Sequence, residues 1–128
     1  FDIFDFKINY SRIRGKNKTL NLYLEDLPAD SYNFDIRAYL DRYDLTLGYL
    51  GLQALAQNRV NPSTIQRTDS TDGYFVHNIF VNKRFKKSFD VNLRIDNLGN
   101  TKYRRHSSHL YESEQDIKLA FKYKINTI

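Results

Sequence analysis

Apolar and polar residues alternate along five stretches of the chain, and this two-residue period constrains the fold more than any other feature. Side chains of a β-strand point alternately to its two faces, so each stretch predicts a strand with one apolar face and one polar face. The apolar residues of the clearest stretch, 89–96, are Phe89, Val91, Leu93 and Ile95. None of the stretches keeps the 3.6-residue period of a helix, so we expect an all-β chain with almost no helix.

Six strands are predicted, joined by two short turns and three long loops. The strands begin near Phe4, Asn33, Leu45, Tyr74, Phe89 and Asp116, and the last runs to Ile125. The turns cover 41–44 and 86–88, and the loops run about 15 to 18 residues and hold both prolines. Strands of about nine to eleven residues with such alternation are typical of antiparallel up-and-down outer-membrane β-barrels, whose short turns are periplasmic and whose long loops are extracellular.

The strand count predicts that the sheet is incomplete. Six strands are too few to close a transmembrane barrel, and hydrocarbon does not tolerate an open sheet edge. We therefore expect residues 1–128 to be one segment of a larger transmembrane barrel, beginning inside a strand at Phe1. Two alternatives stay open: a soluble ligand-binding β-barrel or sandwich with its apolar faces turned inward, and another outer-membrane barrel such as a porin or adhesin.

Composition and missing motifs exclude several function classes. The chain has no Cys, which excludes disulfides and thiolate metal sites. It has no glycine-rich phosphate loop, nucleophile elbow or zinc-protease motif, so we expect no enzyme and no intrinsic cofactor. The net charge of +5 comes from basic residues interspersed with acidic ones. Aromatic and basic side chains fall on opposite strand faces, which argues against nucleic-acid binding.

The stretch 89–104 resembles the penultimate strand and following loop of TonB-dependent outer-membrane receptors. In that family an alternating strand is followed by Asn-Leu and then by Tyr, here Asn97, Leu98 and Tyr103. The rest of the resemblance is carried by Leu27, Pro28, Phe121, Tyr123 and Ile125. The chain departs from the family at its end, where a terminal Phe is usual and 126–128 follow instead.

A finer resemblance, to the zinc and copper receptors of the family, lies in the last loop. Its residues are Tyr103, Arg104, Arg105, His106, Ser107 and Ser108, and Ala56, Gln57, Asn58 and Arg59, which are expected to close the third strand, look similar to the same subgroup. We interpret His106, His109 and Glu112 as candidate metal ligands, because imidazole and carboxylate bind zinc and copper and spacings of three fit a turn. His77 is expected to be a packed or lumen histidine.

The resemblance implies the C-terminal barrel segment of a Gram-negative outer-membrane importer for a metal ion or metal complex: zinc, copper, haem or a ferric siderophore. The implied partners are outer-membrane lipid, the remaining barrel strands, a plug domain outside this sequence, and the TonB energy-coupling complex. The residues expected to face the lumen are Asp90, Asn92, Arg94, Asp96, Lys118, Lys122 and Lys124. The simpler interpretation of each is that it hydrates the barrel interior and pairs across strands, Asp90 or Asp96 with Lys122 or Lys118.

Overall fold

The long strands of the chain form one antiparallel sheet. A computed structural model of the protein describes residues 2–24, 26–61, 69–86 and 88–125. Its strands are β1 (Asp2–Ser11), β2 (Lys16–Asn17), β3 (Leu22–Tyr23), β4 (Ser31–Leu40), β5 (Leu45–Ala54), β6 (Tyr74–Phe85), β7 (Phe89–Asp96) and β8 (Asp116–Tyr123). The six-stranded sheet has the order β1-β4-β5-β6-β7-β8, and each strand is antiparallel to the next, so the topology is up-and-down.

Two tight turns and three long loops connect these strands. Among the residues that the structure describes, the left-handed ones in these turns are Asp44 and Lys86. Within the described ranges the helical structure is one 3₁₀ turn, Asp41–Tyr43, closed by the Asp44 N–H, which donates to the Asp41 oxygen at 3.1 Å. The first, second and third long loops cover 12–30, 55–73 and 97–115. No helix in the described part of the chain is long and apolar enough to cross a bilayer.

The six predicted strands are confirmed, and β6 and β7 have their predicted bounds. Two predicted ends were wrong. β5 ends at Ala54, so 56–59 lie in the second long loop, and β8 ends at Tyr123, so Ile125 lies beyond it. Phe1, Lys87 and the 126–128 tail lie outside the described residues.

The first long loop contains a hairpin that the sequence pattern did not predict. Its strands, β2 and β3, have two residues each, which is too short for a two-residue period to be visible. The side-chain oxygen of Asn17 accepts the backbone N–H groups of Thr19 and Leu20 at 3.0 and 3.1 Å. Asn21 follows with a φ of 52°. Together they reverse the chain, because Asn side chains replace turn hydrogen bonds and tolerate the left-handed region.

The sheet has almost no hydrophobic core. Among the described residues the buried apolar side chains are Leu27, Ala54 and Val76. In contrast, Phe4 is 73% exposed and Phe121 is 63% exposed. A contiguous exposed apolar surface of this kind marks contact with another protein or with lipid.

Candidate functional site

The pairing register sorts the strand side chains into two faces, since directly paired residues lie on the same side of a sheet. Two apolar rows each cross all six strands. One row is Phe6, Ile36, Tyr49, Ile79, Ile95 and Ile117, and the next is Phe4, Ala38, Leu47, Val81, Leu93 and Leu119. The apolar stripes of the sequence therefore join into one continuous surface, and they do not converge on an interior.

Aromatic rings mark both ends of this apolar face. Those at the long-loop end are Tyr10, Tyr32, Phe34 and Phe75, and those at the short-turn end are Phe85, Phe89, Phe121 and Tyr123. On β6 the two outermost rings, Phe75 and Phe85, are ten residues apart. That spacing is roughly 34 Å along a strand, or roughly 26 Å in height at a tilt of about 40°. The apolar band of an outer-membrane barrel is about 25 Å tall, which is close to the height of this face.

Two polar side chains of β6 lie on the apolar face, and both have partners. His77 Nδ1 is 2.7 Å from the Tyr49 hydroxyl oxygen, and its ring packs 4.2 Å from that of Phe75. Lys83 Nζ donates to the backbone oxygen of Tyr43. His77 is two residues from Phe75, and Lys83 is two residues from Phe85, so each is next to an end ring on the same face of the strand. His77 is thus packed, and it lies on the apolar face instead of in the lumen.

The opposite face carries charges that pair across strands. Arg84 Nε lies 2.8 Å from Asp90 Oδ1, and Lys118 Nζ lies 3.1 Å from Asp96 Oδ2. The predicted Asp96–Lys118 pair is therefore present, whereas Asp90 bonds to Arg84 while Lys122 lies opposite it in the register. Each pair joins neighbouring strands, so these charges stabilise the sheet as well as hydrating its polar face.

Six of the seven predicted lumen residues lie on this polar face: Asp90, Asn92, Arg94, Asp96, Lys118 and Lys122. The seventh, Lys124, lies just beyond β8, where its backbone N–H donates to the Ser88 oxygen at 2.8 Å. A groove of about 700 Å³ crosses the face at the short-turn end, and Thr46, Asn82 and Asn92 help to line it. Contact of these residues with a plug or a passing substrate stays a prediction.

One aromatic contact on the polar face was not predicted from the sequence. The Phe80 ring lies across β5 at Gly48, where an added Cβ would collide with it. The Arg37 guanidinium lies 5.6 Å from the centre of the same ring and binds Asp35 through two N–H groups, at 2.8 and 3.0 Å. Gly48 was the one signal in the sequence for this contact, since a glycine inside a strand often marks the close approach of another group.

A chain of hydrogen bonds that includes the buried Gln57 connects the three long loops. Gln57 is fully buried, and its Nε2 donates to the backbone oxygens of Leu27 and Pro28 at 2.8 and 2.9 Å. The backbone N–H groups of Gln57 and Thr71 each donate to the other residue's oxygen, at 2.9 and 3.1 Å. Thr71 Oγ1 in turn lies 2.9 Å from His106 Nδ1. These contacts run from the first loop through the second to the third.

A second connection centres on Asp30, which is buried. Its carboxylate accepts two hydrogen bonds from Arg14, at 2.5 and 2.6 Å, one from Arg59 at 3.1 Å and one from the Tyr10 hydroxyl at 3.3 Å. The hydrogen bonds from Arg14 lower the pKa of Asp30 to about 2, against the opposing effect of burial. Arg14 belongs to the first loop and Arg59 to the second, so Asp30 also joins the two loops.

The three candidate metal ligands are not brought together. His106 is bound to Thr71, the Glu112 carboxylate lies 3.1 Å from Arg105 Nε, and His109 is exposed. Burial, followed by the nearby charge of Arg104, lowers the pKa of His106. Within the described ranges, no three His, Cys, Asp or Glu side chains form a group that holds a metal ion. Metal binding by His106, His109 and Glu112 stays a prediction.

Comparison with known proteins gives matches among solved structures. No protein-family model and no curated protein matches the chain. The structure titled "Copper transporter OprC" is similar, with a TM-score of 0.80 and 17% sequence identity over 94% of this chain and 21% of that chain. The FrpB iron transporter from Neisseria meningitidis (F3-3 variant) is also similar, with a TM-score of 0.73, 17% identity and the same two coverages.

These matches identify the architecture. The chain spans about one fifth of the length of either transporter. One is a copper transporter and the other an iron transporter, and the predicted fold class is confirmed. At 17% identity the similarity establishes the fold alone. The chain has the fold of a six-stranded part of the barrel of such a transporter.

Proposed function

We propose that the chain is the C-terminal part of the barrel wall of a TonB-dependent outer-membrane receptor that imports a metal ion or metal complex. The observation that carries this proposal is the division of the sheet: an exposed apolar face bounded by aromatic rings lies opposite a face of paired charges. An outer-membrane barrel has this arrangement, with lipid outside and water inside. The similarity to a copper transporter and an iron transporter supports the substrate class.

In this proposal the polar face lines the lumen. Its ion pairs, such as Arg84–Asp90 and Asp96–Lys118, leave a wetted surface on which each charge already has an opposite neighbour. Such a surface binds a passing solute weakly, and transport requires that a bound solute can leave again. The free edges of β1 and β8 pair with the remaining strands of the barrel. A plug domain outside this sequence links the barrel to the TonB complex.

The substrate is zinc, copper, haem or a ferric siderophore in this proposal, and His106, His109 and Glu112 contact it at the extracellular end. Their support is residue chemistry and position, because imidazole and carboxylate bind these metals and the third long loop lies at that end. The remaining ligands would come from other parts of the receptor.

The soluble alternative is disfavoured by the exposed apolar face. In a soluble barrel or sandwich the row through Ile36 and Ile95 would be covered by a second layer of the domain. The described residues supply no such layer, and Ile36 is 39% exposed although β4 has a neighbouring strand on each side. The strands of a porin or adhesin barrel would have the same apolar and polar faces. Such a barrel differs from a receptor because its function does not depend on TonB.

Uptake measured with and without TonB tests the proposal. The full-length protein is expressed in a Gram-negative bacterium that lacks its own receptors and is starved of the metal. Zinc, copper, haem and a ferric siderophore are supplied separately. We expect at least one to restore growth only when TonB is active. Uptake that is independent of TonB would indicate a passive porin, and failure with all four would overturn metal import.

A further inference from the structure

The first long loop carries a run of cations at alternate positions. Arg12, Arg14, Lys16 and Lys18 are all exposed, and 12–24, which we call the basic hairpin, contains no Asp or Glu. Charges elsewhere in the chain are mostly interspersed with opposite ones, as on the polar face. The basic hairpin is therefore a segment of uninterrupted positive charge, and Glu25 and Asp26 follow it in the sequence.

Three of these four cations are not neutralised within the described part of the chain. Arg14 is held by two hydrogen bonds to Asp30. Lys16 Nζ lies 4.9 Å from the centre of the Tyr23 ring, which leaves its charge uncompensated. Arg12 and Lys18 have no ion-pair partner among the described residues. Arg12, Lys16 and Lys18 thus remain available to an external anion.

Apolar side chains accompany these cations. Ile13 is 47% exposed, Leu20 is 64% exposed and Leu24 is 46% exposed. A segment that presents cations and large aliphatic side chains together fits a surface that is both anionic and apolar. A free inorganic anion would use the cations and leave the aliphatic groups in water.

The position of the basic hairpin also indicates contact with a surface that is both anionic and apolar. It directly follows β1, where Phe6 is 62% exposed and the apolar stripe ends at Tyr10. The Tyr10 ring stacks on Tyr32 at 4.8 Å, and its hydroxyl donates to Asp30, which also holds Arg14. Aromatic rings of this kind lie at the headgroup level of a membrane. The basic hairpin begins where the lipid-facing surface reaches that level.

We propose that the basic hairpin binds the phosphate groups of lipids in the outer leaflet of the membrane. Arg12, Lys16 and Lys18 contact the phosphates, while Ile13 and Leu20 enter the upper acyl region. Guanidinium and ammonium groups form strong charge-assisted hydrogen bonds with phosphate oxygens. The inference rests on the proposed function, because it takes the membrane orientation from the barrel wall.

Lipid binding by the full-length receptor tests this inference. The receptor is purified in an uncharged detergent, and native mass spectrometry counts bound lipid during titration with lipid A, with lipid A lacking its phosphates, and with inorganic phosphate. We expect preferential binding of phosphorylated lipid A. The R12Q/K16Q/K18Q variant should lose roughly 100-fold in affinity, since each cation near an anionic lipid surface contributes about fivefold.

Two control variants sharpen the test. R12K/K16R/K18R keeps the charges and should bind as tightly as the wild type. K7Q/R42Q/K86Q removes the same number of charges from the polar face and the two short turns, and should leave affinity unchanged. An equal loss in this second control, equal binding of the two lipids, or equal competition by inorganic phosphate would overturn the inference. A receptor that fails to enter membranes contradicts the proposed function instead, whereas one that inserts and transports without lipid discrimination contradicts only this inference.

Discussion

Gln57 joins the first and second long loops through its side chain and its backbone. It is fully buried, and its amide donates to two backbone oxygens of the first loop. We expect Gln57→Ala to destabilise the loop assembly by about 2–4 kcal/mol, because it removes the donor from the buried Leu27 oxygen and from the part-buried Pro28 oxygen. Hydrogen exchange at 27–30 and 55–61 measures this opening. Gln115→Ala is the matched control, since its amide bond to the Leu98 oxygen is exposed and its removal should cost under about 0.5 kcal/mol.

Asp30 should make the first loop sensitive to acid. Its pKa is lowered from 3.8 to about 2, chiefly by hydrogen bonds from Arg14. A carboxylate with a lowered pKa adds stability that is fully present above its unfolded value and is lost as the pH falls through its folded value. Protection of 12–30 from proteolysis should therefore fall between about pH 4 and pH 2. Asp30→Asn should weaken the loop at neutral pH and abolish this dependence; an unchanged acid transition in the variant would contradict the assignment.

Two adjacent residues of β7, Asn92 and Leu93, lie on opposite faces of the sheet and allow the two faces to be compared directly. Leu93 lies in an apolar row, whereas Asn92 lies on the polar face between Asn82 and Ala120. We expect Leu93→Arg to destabilise the barrel by about 2–4 kcal/mol, because it places a charge in hydrocarbon near the middle of the strand. Asn92→Arg, the matched control, should cost less than about 1 kcal/mol since the side chain stays in water. Urea unfolding of the full-length barrel in lipid vesicles measures both, and equal costs would contradict the assignment of faces.

At the scale of elements, the strands were predictable and the contacts between loops were not. The bounds of β6 and β7 follow from local pattern, because a two-residue period and turn residues at 86–88 are visible in the sequence. The burial of Gln57 depends on backbone oxygens about 30 residues away, for which no local pattern exists. The contact of Phe80 with Gly48 likewise depends on the register of two strands. The sequence predicted that His106 lies in a loop, but it did not predict the hydrogen bond between His106 and Thr71.

The described strands of the molecule form an open six-stranded sheet with β1 and β8 at its two edges. β1 and β8 each pair with a neighbour on one side, so their outer backbone groups have no strand beside them in the sheet. Hydrocarbon does not tolerate such groups. The chain covers 21% of each solved transporter of similar fold. The sequence predicted this incompleteness from the strand count, and the sheet agrees with it. The substrate could not be predicted equally well, because in the proposed function its binding site includes residues outside this chain.

Accessibility along β7 tests the central claim most directly, namely that the apolar face meets lipid and the polar face meets water. The chain has no native Cys, so spin labels on single cysteines at 89–96 report each position separately in the full-length receptor, once any cysteine elsewhere is replaced. In vesicles we expect oxygen, which partitions into lipid, to relax labels at the odd positions. A water-soluble nickel chelate should relax those at the even positions, so the two profiles alternate with opposite phase. Odd positions shielded from both reagents, or two profiles in the same phase, would contradict the account.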